Sequence, residues 1–264
     1  MISIQFDNLQ LWQFSNLSKC NEINHFVSGR KGGCSTGELG GLNLSFKIND
    51  TELNVLQNRK LLSLAMNVAE NHVVFPDQTH SDKVAVLKSL ESGGESLSNT
   101  DALITNLKGV CIAVMSADCV PILLYDKSNK AIGAVHAGWR GTVSKILDKT
   151  VEAMEKEFGT KPSDLIAGIG PSISPEIYEV GQEVIDAAEN AFGNITSMVN
   201  KKEGKTFFNL WEANRFQLIS KQLNPENIEV AGICTYQNAD EFFSARKSLN
   251  KAGRFGAGIV INPR

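Results

Sequence analysis

Histidine is scarce in this sequence, with four His in 264 residues, and the five Cys are odd in number and irregular in spacing. Four imidazoles can build at most one small metal site with several His ligands. An odd, irregular set of cysteines argues against a disulfide framework and fits a reducing compartment. We therefore expect a cytoplasmic protein with free thiols.

Long apolar runs are also missing. The longest, residues 110–125, is broken by Asp118 and Pro121 and cannot span a bilayer. The first residues lack the basic and apolar regions of a signal peptide. A net charge of −3 offers no general attraction for nucleic acid or an anionic membrane. We expect neither as a partner.

The chain has no internal repeat, low-complexity tract or linker-like run, so we expect one α/β domain over residues 1–264. Residues 89–100, rich in Ser, Gly and Glu, are predicted to form a surface loop. Strands that follow one another partly through hairpins and partly through helices are typical of mixed sheets. Apolar periodicity predicts helices over residues 51–66, 142–158, 182–192 and 210–223.

One predicted hairpin places a thiol near an imidazole. Two short apolar runs flank a polar segment and indicate a β-hairpin over residues 119–136. If residues 128–129 form a two-residue loop, Pro121 lies opposite His136. Cys119 is then the diagonal neighbour of His136 on the same face, with Cβ atoms about 7–8 Å apart. A slip of one residue would send the two side chains to opposite faces.

A Cys beside a His serves either nucleophilic catalysis or metal binding. The imidazole can draw the thiol toward thiolate, and thiolate sulfur and imidazole nitrogen both suit zinc. His80 follows a short apolar strand in a polar loop and supplies a candidate third ligand. Two His and one Cys leave a fourth position open, the pattern of a catalytic zinc. An arbitrary Cys is more often a small buried hydrophobe, but the polar surroundings of Cys119 and His136 favour a site.

Short motifs in a fixed order cover nearly the whole chain. They are Ser28-Gly-Arg-Lys-Gly-Gly-Cys-Ser35, Leu42-Asn-Leu44, Asn58-Arg59, Gln78-Thr-His-Ser81, Asp101-Ala-Leu-Ile-Thr105, Ala117-Asp-Cys119, His136-Ala-Gly-Trp-Arg-Gly141, Gly170-Pro171, Cys234-Thr-Tyr236 and Phe242-Phe-Ser-Ala-Arg246. With them the chain resembles the zinc-dependent purine nucleoside phosphorylase family, earlier named laccase-domain or multicopper polyphenol oxidases. It departs from the family pattern at Gly29, where a hydroxyl-bearing residue is common, and at Cys34, where Val is common.

The resemblance implies a fold and a metal. The fold is α/β (α+β), with two mixed β-sheets packed together and helices outside, a four-layer α/β/β/α arrangement like that of cysteine hydrolases. Residue by residue, the family's metal ligands fall on His80, Cys119 and His136. We therefore expect one Zn²⁺ per chain, with copper a less favoured occupant.

The resemblance also implies an activity. We expect phosphorolysis of adenosine, inosine and methylthioadenosine, with adenosine deamination as a side activity of the same site. The small-molecule partners are then purine nucleosides and phosphate, and the expected oligomeric state is a monomer. The predicted catalytic residues are Cys119, His136 and, as a proton carrier, Asp118. The predicted substrate-binding residues are Arg30, Asn43, Arg140 and Arg246, because arginine forks bind phosphate bidentately.

Two other activities remain open from the residues. In a metal-independent amide hydrolase that edits cytoplasmic cell-wall precursors, Cys119 would be the nucleophile and His136 the base. His80 then has no role. In a copper-dependent polyphenol oxidase, a blue-copper site and a trinuclear cluster would need many imidazoles, and four His are too few. We rank both below the phosphorylase.

Overall fold

The computed structural model describes residues 1–90, 97–249 and 251–263. Part of the predicted surface loop, residues 91–96, lies outside the described residues. The strands are β1 Ile2–Phe6, β2 Leu9–Gln13, β3 Ile23–Ser28, β4 Val73–Val74, β5 Val84–Val86, β6 Ala102–Thr105, β7 Cys111–Ser116, β8 Val120–Asp126, β9 Ala131–Ala137, β10 Leu165–Ile169, β11 Val199–Lys202, β12 Lys205–Phe208, β13 Ile228–Val230 and β14 Phe255–Ile261. The α-helices are α1 Glu52–Ala65, α2 Trp139–Val143, α3 Ile146–Phe158, α4 Gln182–Phe192 and α5 Leu210–Ser220.

Two large mixed sheets form the centre of the fold. In the described part of the chain, a first 6-stranded sheet has the order β1-β2-β3-β14-β7-β4, and a second has the order β13-β10-β8-β9-β6-β5. The pairs β4/β7, β10/β13 and β5/β6 are parallel, while their other neighbours pair antiparallel. A small hairpin of β11 and β12 stands apart from both sheets. The prediction of two mixed sheets is confirmed.

Three apolar clusters separate four layers. Leu123 of β8 and Ile259 of β14 belong to the cluster between the two sheets. Leu62 of α1 packs with Phe26 on the outer face of the first sheet. Val151 of α3 belongs to the cluster between the second sheet and α3, α4 and α5. Burying one such side chain stabilises the fold by about 1.5–3 kcal/mol. The layer order is therefore α/β/β/α, as predicted, while the likeness to cysteine hydrolases stays a prediction.

The β8/β9 hairpin has the predicted register. Pro121 is the partner of His136, and Asp126 is the partner of Ala131. The carboxylate of Asp126 accepts hydrogen bonds from the backbone N–H groups of Ser128 and Asn129, at 2.9 and 3.0 Å. These bonds satisfy the turn's amides and fix its position between the strands. The register prediction is confirmed.

Alternate residues of the central hairpin face different layers. Val120 and Val135 lie in the helix-side cluster, whereas Leu123 faces the other sheet. This follows from the period of two along a strand. The face that carries Pro121 and His136 is thereby separated from the helix-side core, as the sequence predicts.

The predicted helix over residues 142–158 is wrong in its first turn. The structure has two helices there, α2 and α3, which are joined at Ser144 and Lys145. Lys145 has a left-handed backbone with φ of 59°, so the α-helical hydrogen-bond pattern cannot continue through it. The prediction over residues 182–192 coincides with α4, and α5 ends three residues before the predicted end. No helix in the described ranges is long and apolar enough to cross a membrane.

Candidate metal centre

Three side chains from distant parts of the chain converge at one end of the hairpin. His136 lies in β9, Cys119 immediately precedes β8, and His80 lies in the loop between β4 and β5. Their ligand atoms lie within 4.8 Å of one another. The two imidazole rings are 5.1 Å apart between centroids and inclined by 72°. His136 is buried, Cys119 is half-buried and His80 is exposed, so the cluster opens toward solvent on the His80 side.

Asp101 orients His136. Its carboxylate is fully buried at the start of β6, and Oδ1 lies 2.7 Å from Nδ1 of His136. Because Nδ1–H donates to this carboxylate, Nε2 remains as the ring nitrogen that can bind a metal. A carboxylate behind a ligating His also raises the basicity of the ligand. This residue was missed as a functional residue, although its motif was noted in the sequence.

The same carboxylate shapes the loop that carries His80. It accepts hydrogen bonds from the backbone N–H groups of Thr79 and His80, both at 3.1 Å, and of Ser81 at 2.7 Å. His80 has a left-handed φ of 63°, a conformation that costs energy for a residue with a side chain. The three amide bonds offset that cost. Asp101 therefore fixes both imidazoles of the cluster.

These contacts also hold Asp101 in its charged form. Burial on its own would raise the pKa of the carboxyl group, but the hydrogen bond from His136, the charge of His136 and the amides of Thr79 and Ser81 lower it to about 2. Above that pH the carboxylate is available to His136. The orienting interaction therefore persists through the neutral range.

Cys119 and His136 favour each other's charged forms. Burial alone would raise the pKa of the Cys119 thiol, but the neighbouring His136 and His80 lower it to about 6. Burial would lower the pKa of His136, but Cys119 and Asp101 raise it to about 9. The pair therefore favours a thiolate at Cys119, the form that binds metals and reacts as a nucleophile, and a metal ion would displace the Nε2 proton of His136 when it binds.

Gly138 makes room for the cluster. A Cβ atom at this position would lie 2.9 Å from Sγ of Cys119 and 3.0 Å from Cδ2 of His80. Both distances are shorter than an ordinary van der Waals contact. Only glycine leaves the thiol and the imidazole in their observed positions, which explains the Gly that follows His136-Ala137 in the sequence.

The cluster lies in a small pocket of about 180 Å³. Besides the three candidate ligands, the pocket is lined by the hydroxyl-bearing residues Ser45 and Ser116, by Gln78, and by the cations Lys47 and Arg254. Gln78 donates from Nε2 to the carbonyl of Met115 at 2.8 Å and accepts from its N–H at 2.7 Å. This pair of bonds fastens the His80 loop to β7.

Asp118 lies beside Cys119 but outside this pocket. Its Oδ1 accepts from the hydroxyl of Thr235 at 2.6 Å, and its Oδ2 accepts from the backbone N–H of Arg246 at 2.8 Å. The side chain lines a separate cavity with Tyr178. Both carboxylate oxygens therefore tie the segment before β8 to the C-terminal part of the chain.

The three arginines predicted to bind phosphate also lie outside the pocket. Arg30 donates to the carbonyls of Ala239 at 3.0 Å and Gly40 at 3.3 Å. Its side chain is thereby used to hold a glycine-rich turn. Arg140 is exposed and stacks on the neighbouring Trp139 ring, and Arg246 is exposed over the ring of Tyr178. None of the three lines the pocket that contains the His–Cys–His cluster.

Asn43, predicted to bind substrate, is fully buried behind the pocket wall. Its Oδ1 accepts from the backbone N–H groups of Ser45 at 3.1 Å and Arg254 at 3.0 Å. Its Nδ2 donates to Oδ2 of Asp50 at 2.7 Å. Asn43 thus positions two residues that line the pocket. Only the position of Arg254 between Gly253 and Gly256, just before the terminal strand, could have marked this residue in the sequence.

The other two histidines serve the fold. Nε2 of His25 accepts from the backbone N–H of Phe14 at 2.8 Å, and Nδ1 of His72 lies 3.0 Å from the carbonyl of Gly109. Among the residues that the structure describes, His80, Cys119 and His136 are the one group of three or more His, Cys, Asp or Glu placed to hold a metal. Within the described ranges, this site is therefore the candidate for metal binding.

The chain is similar to known proteins over most of its length. The chain is 43% identical to a purine nucleoside phosphorylase of Bacteroides thetaiotaomicron over 99% of this chain and 100% of that protein. It is 37% identical to adenosine deaminase RL5 of an unknown prokaryotic organism, over 83% of this chain and 86% of that protein. The crystal structure of YlmD from Geobacillus stearothermophilus superposes with a TM-score of 0.90 at 27% identity, covering 99% of each chain. The family model of the multi-copper polyphenol oxidoreductase laccases matches residues 24–262, and the chain belongs to this family.

Proposed function

We propose that this protein is a zinc-dependent purine nucleoside phosphorylase with adenosine deaminase activity. The observation that carries the proposal is the convergence of His80, Cys119 and His136 within 4.8 Å in an open pocket. The names of the relatives at 43% and 37% identity support the two activities. The proposed substrates are adenosine, inosine and methylthioadenosine, with phosphate as the second substrate.

The donor set fits zinc. Two imidazole nitrogens and one thiolate are ligands that zinc prefers, and three protein ligands leave one position open, as in catalytic sites. The Asp101–His136 contact is the support that ligating histidines usually have. When bound, zinc would supply a Lewis acid in the pocket. Thiolate also suits Cu(I), but a multicopper oxidase site needs more imidazoles than this chain has.

The chain's own residues have positioning roles in the reaction. In phosphorolysis, an oxygen of phosphate forms a bond to C1′ of the ribose, the bond from C1′ to the purine nitrogen breaks, and the base takes up a proton. In deamination, the oxygen of water bonds to C6 and ammonia leaves. We propose that Asp101 holds His80 and His136 for both reactions. We also propose that Asp118 positions Cys119 through its bonds with Thr235 and Arg246, beside its expected role as a proton carrier.

The two competing activities are not favoured. An amide hydrolase built on Cys119 and His136 needs no third donor, yet His80 is held in a left-handed conformation beside them. The two relatives are named as a purine nucleoside phosphorylase and an adenosine deaminase, and neither name points to amide hydrolysis.

We further propose that residues 1–264 form a single domain that acts as a cytoplasmic monomer. Its proposed partners are small molecules, with no role for nucleic acid or membranes.

The test is a product analysis with metal-analysed protein. Each nucleoside is incubated with and without phosphate, and the products are separated by chromatography. Free base together with ribose-1-phosphate, formed only when phosphate is present, would support phosphorolysis. Inosine formed from adenosine without phosphate would support deamination. The Cys119→Ala variant serves as the control for a contaminating enzyme. Turnover of none of the nucleosides by zinc-loaded protein would overturn the proposal.

A further inference from the structure

Arg254 presents an unpaired positive charge to the pocket. The residue immediately precedes β14, is half-buried, and lines the same pocket as His80, Cys119 and His136. Its Nη1 donates to the carbonyls of Ala252 at 2.6 Å and Gly253 at 3.1 Å. Its Nε and Nη2 groups have no hydrogen-bond partner in the described part of the chain. No carboxylate of the described residues lies within ion-pair distance of it.

Lys47, the second cation that lines the pocket, differs from Arg254 because it has an ion-pair partner. Lys47 is exposed, forms an ion pair with Asp77, and donates from Nζ to the carbonyl of Gln78 at 2.9 Å. Its charge is therefore compensated at the rim. Arg254 is left as the lining cation whose charge is not balanced by a carboxylate of the described residues. Cys119 and Asp118 stabilise this charge from a distance, but no carboxylate of the described residues forms an ion pair with it, and a half-buried guanidinium with free donors favours an anionic ligand.

The backbone of Arg254 is fixed from two sides. Its N–H donates to Oδ1 of Asn43 at 3.0 Å, and its carbonyl accepts from the N–H of Leu44 at 3.0 Å. Asn43 is itself anchored by Asp50, which accepts at 2.7 Å. The backbone of Arg254 is therefore held in place, its guanidinium is tied at Nη1, and the residue lines the pocket. A pre-ordered fork loses less entropy when it binds a ligand.

We infer that Arg254 is the phosphate-binding residue of this pocket, through its free Nε and Nη2 edge, and that Asn43 is the positioning residue that aims it. The assignment rests on the proposed function for the identity of the anion. Arg254 forms no covalent bond. It holds phosphate by two parallel charge-assisted hydrogen bonds, a geometry that suits guanidinium and phosphate. The roles expected for Arg30, Arg140 and Arg246 stay predictions, and Arg254 is the arginine that lines this pocket.

The experiment compares zinc-loaded wild type with the Arg254→Gln variant. Binding of inorganic phosphate is measured by isothermal titration calorimetry, and KM is measured separately for phosphate and for inosine. Loss of a charge-assisted pair should weaken phosphate binding and raise the KM for phosphate about tenfold or more, with little change in the KM for inosine. Deamination of adenosine, which needs no phosphate, should continue. Lys251→Gln is the matched control, since it removes an exposed cation three residues away that pairs with Glu38.

The conservative variant Arg254→Lys keeps the charge but loses the fork, and should lie between wild type and Arg254→Gln. It also tests the inference if the glutamine variant does not fold. Wild-type phosphate affinity and KM in a folded Arg254 variant would overturn the inference and leave the phosphorylase standing. Phosphate binding that depends on Arg254, in a protein that phosphorolyses no nucleoside, would support the anion site and overturn the proposed function. Absence of phosphate binding and of a phosphate requirement in wild type would overturn both.

Discussion

The carboxylate of Asp101 and the imidazole of His136 are 2.7 Å apart, and both side chains are buried. The same carboxylate accepts the amides of residues 79–81. One side chain thus sets the ring orientation of one candidate ligand and the backbone conformation of another. The geometry of the candidate metal site therefore depends on a residue outside the three candidate ligands.

Replacing Asp101 with Asn should weaken metal binding. The neutral amide cannot raise the basicity of His136, and one of its terminal atoms donates instead of accepting hydrogen bonds. Loss of such an orienting carboxylate typically lowers metal affinity about 10- to 100-fold. The measurement is competition with a chromophoric zinc chelator. Asp126→Asn is the matched control because Asp126 is buried at the opposite end of the same hairpin. The Asp126→Asn control should lower stability without changing zinc affinity. Equal zinc affinity in wild type and Asp101→Asn would contradict the expectation for Asp101.

The three candidate ligands should be equally necessary. His80→Ala should abolish turnover about as completely as Cys119→Ala, because each variant leaves two protein ligands for the ion. Chelation should inactivate the wild type, and added zinc should restore it. Bound metal should also slow alkylation of Cys119. The readouts are zinc content per chain, product formation and alkylation rate, with His72→Ala as a control outside the site. A mild His80→Ala variant together with chelator-resistant activity would instead indicate a thiol hydrolase.

Gly138→Ala should damage the site more than the fold. The added methyl group would meet Cys119 Sγ and His80 Cδ2 at 2.9 and 3.0 Å, so one of the two ligands must shift. Such overpacking typically costs about 1–3 kcal/mol. We expect lower zinc affinity and loss of turnover in a protein with normal circular dichroism. Thermal unfolding with and without zinc measures the loss of zinc binding. The zinc-dependent rise of Tm should be smaller in the variant than in wild type. An unchanged rise would rule out steric pressure on the ligands.

The sequence predicted the hairpin well because strand periodicity and one turn determine its register. Counting from the turn placed Pro121 opposite His136, which the structure confirms. The candidate metal-binding triad then needed only His80, which the sequence placed in a polar loop. The interruption of the predicted helix at Lys145 could not be read from the sequence. A single residue with a left-handed backbone does not change the helical spacing of the apolar residues around it.

Arginine roles were the least predictable part of the site. An arginine near glycines can bind phosphate or hold a turn, and composition does not distinguish the two. Arg30 holds carbonyls, while Arg254 lines the pocket with half of its guanidinium free. The difference depends on long-range packing of β14 against the segment that contains Asn43. Asp101 was hidden for a similar reason, since its partners are far from it in sequence.

His25 should make the protein less stable in mild acid. It is 1% exposed in the first sheet, and burial lowers its pKa from 6.5 to about 4. Between those two pH values the unfolded chain binds a proton that the folded chain does not. The free energy of unfolding therefore falls as pH drops from about 6.5 to about 4, and this contribution levels off below that.

The His25→Gln variant isolates this contribution. A shift from 6.5 to about 4 corresponds to about 3 kcal/mol of stability lost between neutral pH and pH 4. Gln can still accept a hydrogen bond but does not titrate, so the variant should lose about that much less than wild type over the same interval. Urea unfolding at a series of pH values gives the comparison. Asn24→Ala is the neighbouring control. It removes the side-chain oxygen that accepts the backbone N–H of His25, and it should lower stability equally at every pH. If His25→Gln shows the same pH dependence as wild type, then His25 is protonated in the folded protein and its burial does not set the acid sensitivity.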